Sequence, residues 1–142
     1  MRRMWLISGL LLAFQCVAEP SWLSIAGDST QADADSIEID AVPVLVKDNI
    51  RLMSVRVSRS KTRTSGDGIE FRSFQGLVEF DCQRKSARYT QAQFFREPLW
   101  RVPVRTVTYA HDDVRPMAFR GFEPNPHDRI VRAACAMRRA AS

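Results

Sequence analysis

Four cations stand close together in mid-chain: Arg56, Arg59, Lys61 and Arg63. The last three fall within residues 58–68, SRSKTRTSGDG, a run without a single apolar side chain. A basic loop of this kind can meet sulfate or carboxylate groups, which arginine holds with two parallel hydrogen bonds. These four residues are the candidate ligand-binding site, with a protein or an acidic glycan as the partner. The plainer account of the same run is a solvated hairpin tip whose charge Asp67 dilutes. His111, Asp112 and Asp113 are residue types suited to a general base or a metal site. Sequence neighbours in a turn usually point apart, however, and no nucleophile accompanies them. There is no G-x-S-x-G, no glycine-rich phosphate loop and no H-E-x-x-H. His127 reads as a surface residue. The expectation is a binding protein, with no enzymatic activity, no cofactor and no metal.

The N-terminus reads as an export signal. Arg2 and Arg3 precede an apolar stretch over residues 5–14, and Cys16 and Ala18 set small residues at the −3 and −1 positions of a cut after Ala18. Ten apolar residues reach about 15 Å as a helix, about half a bilayer core, so the stretch is too short for an anchor. Acylation at Cys16 is the other possibility, and Gln15 and Phe14 before it suit a lipoprotein signal poorly. The expected division is residues 1–18 as a cleaved leader and 19–142 as one domain, located in the periplasm or at the cell surface with no transmembrane segment. Losing Arg2 and Arg3 takes the 21 basic residues to 19 against 16 acids, a mature net of +3. So small an excess on an exported chain argues against nucleic acid as a partner. The oligomeric state is left open.

Cleavage would leave two cysteines, Cys82 and Cys135. A pair in an oxidising compartment is expected to form a structural disulfide; it lacks the C-x-x-C spacing of a redox site. Closing a loop of roughly 54 residues stabilises by about 4 kcal/mol in the chain-entropy description.

The elements that must position these groups are mostly strands. Residues 22–26 alternate, with Trp22 and Ser24 facing away from Leu23 and Ile25, and Ile37 and Ile39 alternate with Glu38 and Asp40. Pro43 marks an edge or a bend. Residues 50–57 form the next strand, and 58–68 the loop of a long hairpin. In the return strands Val78, Phe80 and Cys82 share a face. Residues 87–95 and 104–109 follow as strands around an irregular connection at Pro98, Trp100 and Pro103, while 114–123 has no assignment. Phe71, Phe74, Phe80, Phe94, Phe95 and Trp100 line either a core or a pocket, with core the simpler account. Trp22 and Trp100 are candidates for partly exposed interface anchors. The last element is a helix, with Asn125 capping, Pro126 opening it and Asp128 in its first turn. Ile130, Val131, Ala134, Cys135 and Met137 form its apolar stripe, and Arg138 and Arg139 sit near its end. The fold class is α+β: an antiparallel sheet with one C-terminal helix packed on a face and tied by the disulfide.

Trp22 opening the mature chain, IEID at 37–40, VEFDC at 78–82 and the closing helix with Cys135 together resemble the surface-adhesin protein E family of Gram-negative bacteria. The resemblance spans nearly all of residues 22–135. It implies a small exported domain that recognises host extracellular-matrix or serum proteins. A periplasmic accessory or inhibitor role is the alternative, because a fold does not fix a function.

Overall fold

The computed structural model describes residues 19–137; the expected leader and Arg138 and Arg139 lie outside this range. Eight strands form one antiparallel sheet: β1 (Trp22–Gly27), β2 (Ser36–Asp40), β3 (Leu45–Lys47), β4 (Ile50–Thr64), β5 (Glu70–Asp81), β6 (Ser86–Phe95), β7 (Pro103–Thr108) and β8 (Arg115–Pro116). The spatial order is β1-β2-β4-β5-β6-β7. β3 continues the edge of β2 along β4, and β8 pairs with the start of β6. The single helix among the described residues, α1 (His127–Ala136), closes the chain.

Period-two alternation gives the sheet two different faces. Ile37, Ile39, Met53, Val55, Val57, Val78 and Phe80 point inward and are buried against Ile130, Val131 and Ala134 of α1. Residues 117–122 lie over the same face as a strap, inserting Met117, Phe119 and Phe122. This strap comes from the segment that periodicity left unassigned; its regular hydrogen bonding is confined to β8, so no period of 2 or 3.6 develops. Cys82, just past β5, is bonded to Cys135 on α1, with Cα atoms 5.6 Å apart. The expected fold class and disulfide are therefore both present. The helix starts one residue later than expected, with Pro126 in the capping position and no side-chain cap; Asn125, just before it, accepts from the His127 N–H (3.0 Å).

Residues 58–68 are not a loop. β4 runs on to Thr64, and only 65–69 make the hairpin turn. Register explains the difference. Ser58 pairs with Ser73 and Arg63 with Phe71, so five steps on β4 face two on β5 and three residues bulge out. Two groups in this stretch have partners that no local pattern reveals. The Ser60 N–H donates to Asp35 Oδ1 (2.7 Å), and Arg59 Nη2 donates to the Arg120 carbonyl (3.2 Å).

Candidate functional site

Apart from the connection at 96–102, which folds over one part of it, the outer face is open and polar. One cross-strand row runs Ser24, Glu38, Arg56, Gln75, Gln93, Thr106 across the full width of the sheet. A parallel row holds Ser54, Leu77, Gln91 and Thr108. Between the rows lies a shallow groove of about 250 Å³ lined by Ser54, Gln75, Gln91, Gln93 and Thr106. The glutamine amides each offer two donors and an acceptor. Gln75, Gln91 and Gln93 are all exposed.

Within the first row Arg56 is clamped between two indoles. Its guanidinium carbon lies 3.9 Å from the ring centre of Trp100 and 4.2 Å from that of Trp22. Its Nε pairs with Glu38, only 6% exposed, whose other oxygen accepts from the Ser29 hydroxyl at 2.9 Å. Cation–π stacking on two faces and an ion pair along the edge fix the guanidinium plane.

Trp100 is held by an unusual connection. Leu99, Trp100 and Val102 have φ of 57°, 59° and 61°, a left-handed conformation costly for side chains of this size. Two fully buried serines, cross-strand partners on β4 and β5, pin the segment. Ser58 Oγ accepts from the Leu99 N–H (3.0 Å) and Ser73 Oγ from the Trp100 N–H (2.9 Å). The Ser73 hydroxyl donates in turn to the Glu97 carbonyl (2.6 Å), and the indole N–H donates to the Phe74 carbonyl (3.2 Å).

The inner face has a site of another kind. A cleft of about 280 Å³ opens there between β4, β5, β6 and the strap. Phe71, Phe74, Phe119 and Phe122 wall it, and Arg59, Arg63 and Arg120 line it. Arg59 is 4% exposed and stacks on Phe122 at 4.0 Å. Burial lowers its pKa; Asp35, 3.6 Å away, opposes the shift and the neighbouring Arg63 charge adds to it. Tyr89, whose ring packs on Gly76, also lines the cleft, and burial pushes its phenol well above the usual range.

The four cations expected to act together are thus divided. Arg56 faces outward in the clamp, Arg59 and Arg63 face the inner cleft, and Lys61 is exposed on the bulge between. The cause is the strand itself, which sends side chains alternately to opposite faces. His111, Asp112 and Asp113 do not converge: His111 contacts Arg88 through Nδ1 (2.8 Å), Asp113 pairs with Arg115 (2.7 Å), and His127 lies beside Asp128. Among the described residues no group of three or more His, Cys, Asp or Glu could hold a metal ion, and no helix is long and apolar enough to cross a membrane. Sequence reasoning missed Glu38, Ser73, Gln75, Gln93 and Arg120. Polar residues at 73, 75, 91 and 93, alternating with apolar ones, were the available signal for the outer face. Arg120 lay where no period exists.

Neither a curated protein nor a solved structure matches the chain. A family model described as surface-adhesin protein E matches residues 22–136, from the first residue of β1 to the last of α1. With the whole sheet, the strap and the disulfide-bonded helix inside that match, the chain belongs to the surface-adhesin protein E family.

Proposed function

We propose that the protein is exported after cleavage following Ala18 and works, without chemistry of its own, as a surface domain recognising host matrix or serum proteins through the outer face of its sheet. Family membership supports an adhesin-like surface role. The observation that carries the choice of face is the exposed polar row Gln75, Gln93 and Thr106, bordered by the Trp22–Arg56–Trp100 stack. Tryptophan and arginine are the residues most enriched at interface hot spots, and groups already locked in place lose little entropy on binding. Of the four expected cations only Arg56 belongs to this surface, and Glu38 neutralises it. Contact here would rest on aromatic area and amide hydrogen bonds, with little dependence on salt.

The test is retention of purified matrix and serum proteins by immobilised, oxidised 19–142 domain. Wild type is expected to retain at least one of them, and a Gln75→Glu, Gln93→Glu double variant to lose it at an unchanged melting temperature. Retention of envelope proteins alone, with the domain protected from protease on whole cells, would replace this reading with a periplasmic accessory or inhibitor role.

A further inference from the structure

The inner cleft lies on the opposite side of the sheet from that surface and has a chemistry of its own. Three arginines line it, and the nearest carboxylate is Asp35, 3.6 Å from Arg59. Among the described residues neither Arg63 nor Arg120 has an acidic partner within 4 Å. Arg59, although 96% buried, keeps an Nε with no hydrogen-bond partner. The point that a Cβ of Gly121 would occupy is 2.9 Å from Arg63 Nη2 and 3.1 Å from Arg59 Nη2, so the two nitrogens are at most 6.0 Å apart. Like charges gathered this closely beside aromatic walls repel one another unless an anion joins them.

The surroundings also orient an occupant. A second hollow of about 350 Å³ adjoins it, sharing Phe71, Phe74, Tyr89 and Arg120 and adding Phe94 and Tyr109 to the wall. The cation at that far end, Arg115, is already paired with both Asp67 (3.1 Å) and Asp113 (2.7 Å). One end therefore gathers three arginines against the single carboxylate of Asp35, while at the other Arg115 is paired with two carboxylates beside aromatic walls.

We propose that this cleft binds a single-chain amphiphile ending in an oxyanion, its carboxylate or phosphomonoester held by Arg59, Arg63 and Arg120 and its apolar chain laid along Phe71 and Phe74 toward Phe94. Arginine suits the head group because it presents two N–H bonds in one plane, and the phenylalanine walls suit the chain. The ligand would be distinct from any macromolecule on the outer face, so each assignment stands or falls separately.

Calorimetric titration of the oxidised 19–142 domain tests this with four probes kept below micellar concentration: decanoate, decyl phosphate, decan-1-ol and inorganic phosphate. One or both amphiphilic anions should bind with a stoichiometry of one, and the tighter of the two identifies the head group. Decan-1-ol and inorganic phosphate should each bind at least about tenfold more weakly, since each lacks half of the recognition. Arg63→Gln and Arg120→Gln, at exposed positions, should weaken the anion about tenfold without altering decan-1-ol binding or the melting temperature. Failure of both anions to bind, equal binding of decan-1-ol, or undiminished binding to the two variants would each overturn the proposal. Inorganic phosphate binding as tightly as decyl phosphate would overturn the apolar half of the site.

Discussion

Replacing Ser73 by Ala removes one oxygen and should release a whole connection. Its hydroxyl donates to the Glu97 carbonyl and accepts from the Trp100 N–H, so the variant strips two backbone groups of their partners at once. An unsatisfied buried group costs about 1–3 kcal/mol. Against this, Leu99, Trp100 and Val102 hold left-handed backbone that costs on the order of 1 kcal/mol or more each, which the segment recovers by letting go. The global loss should therefore settle near 2 kcal/mol, about 8 °C in melting temperature for a domain of this size, and the greater change should be local. In a Trp22→Phe background of the 19–142 domain, Trp100 is the only tryptophan left. Its emission should shift to the red, and acrylamide should quench it more readily, once Ser73 is Ala, while urea unfolding reports the stability. An unchanged midpoint together with unchanged quenching would refute the account of how Trp100 is held on Arg56.

The remaining predictions concern the core, the termini and pH. A Cβ at Gly76 would lie 2.9 Å from the Tyr89 ring and 3.3 Å from the Gln91 carbonyl; Gly76→Ala should cost about 1–3 kcal/mol by overpacking, read by urea unfolding. Replacing both Cys82 and Cys135 by Ala should lower stability by about 4 kcal/mol, since the bond closes 53 residues of sequence separation. Both tyrosines should resist ionisation in the folded protein. Burial raises Tyr89, and burial with the hydrogen bond to Asp67 pushes Tyr109 up to about 12. Because the folded values exceed the unfolded value of about 10, this stabilisation is whole below pH 10 and is lost as pH rises through the folded values. Phenolate absorbance at alkaline pH should show no step near pH 10 until the chain unfolds; an ordinary titration there would contradict the burial of Tyr89.

The legible part of this protein was whatever repeats at short period or is set by compartment. Ile37, Ile39, Val78 and Phe80 announced strands with one apolar face, and the helix was marked by Asn125 and by the spacing of Ile130, Val131 and Ala134. The cysteine pairing followed from Cys82 and Cys135 being the two that lie beyond the expected leader. What stayed hidden depends on contacts between distant segments. The polarity of residues 58–64 imitates a loop, and the partners of Arg59 and of the Ser60 N–H, Asp35 and the strap, lie far along the chain. Arg120 could not be placed beside Arg59 and Arg63 when residues 114–123 showed no period. Trp22 and Trp100 were recognisable as possible anchors, yet their meeting on Arg56 required the left-handed turn at 99–102. For the same reason, one basic cluster in sequence is divided between opposite faces of the sheet.

The central claim is that macromolecules are recognised on the outer face of the sheet. Amide chemical-shift mapping of the oxidised, isotope-labelled 19–142 domain, titrated with a retained matrix protein, measures that most directly. The account predicts that the perturbed amides trace Arg56, Gln75, Gln93 and Thr106 and leave α1 unaffected. Perturbations gathered on α1 and the strap, with that row unmoved, would contradict it.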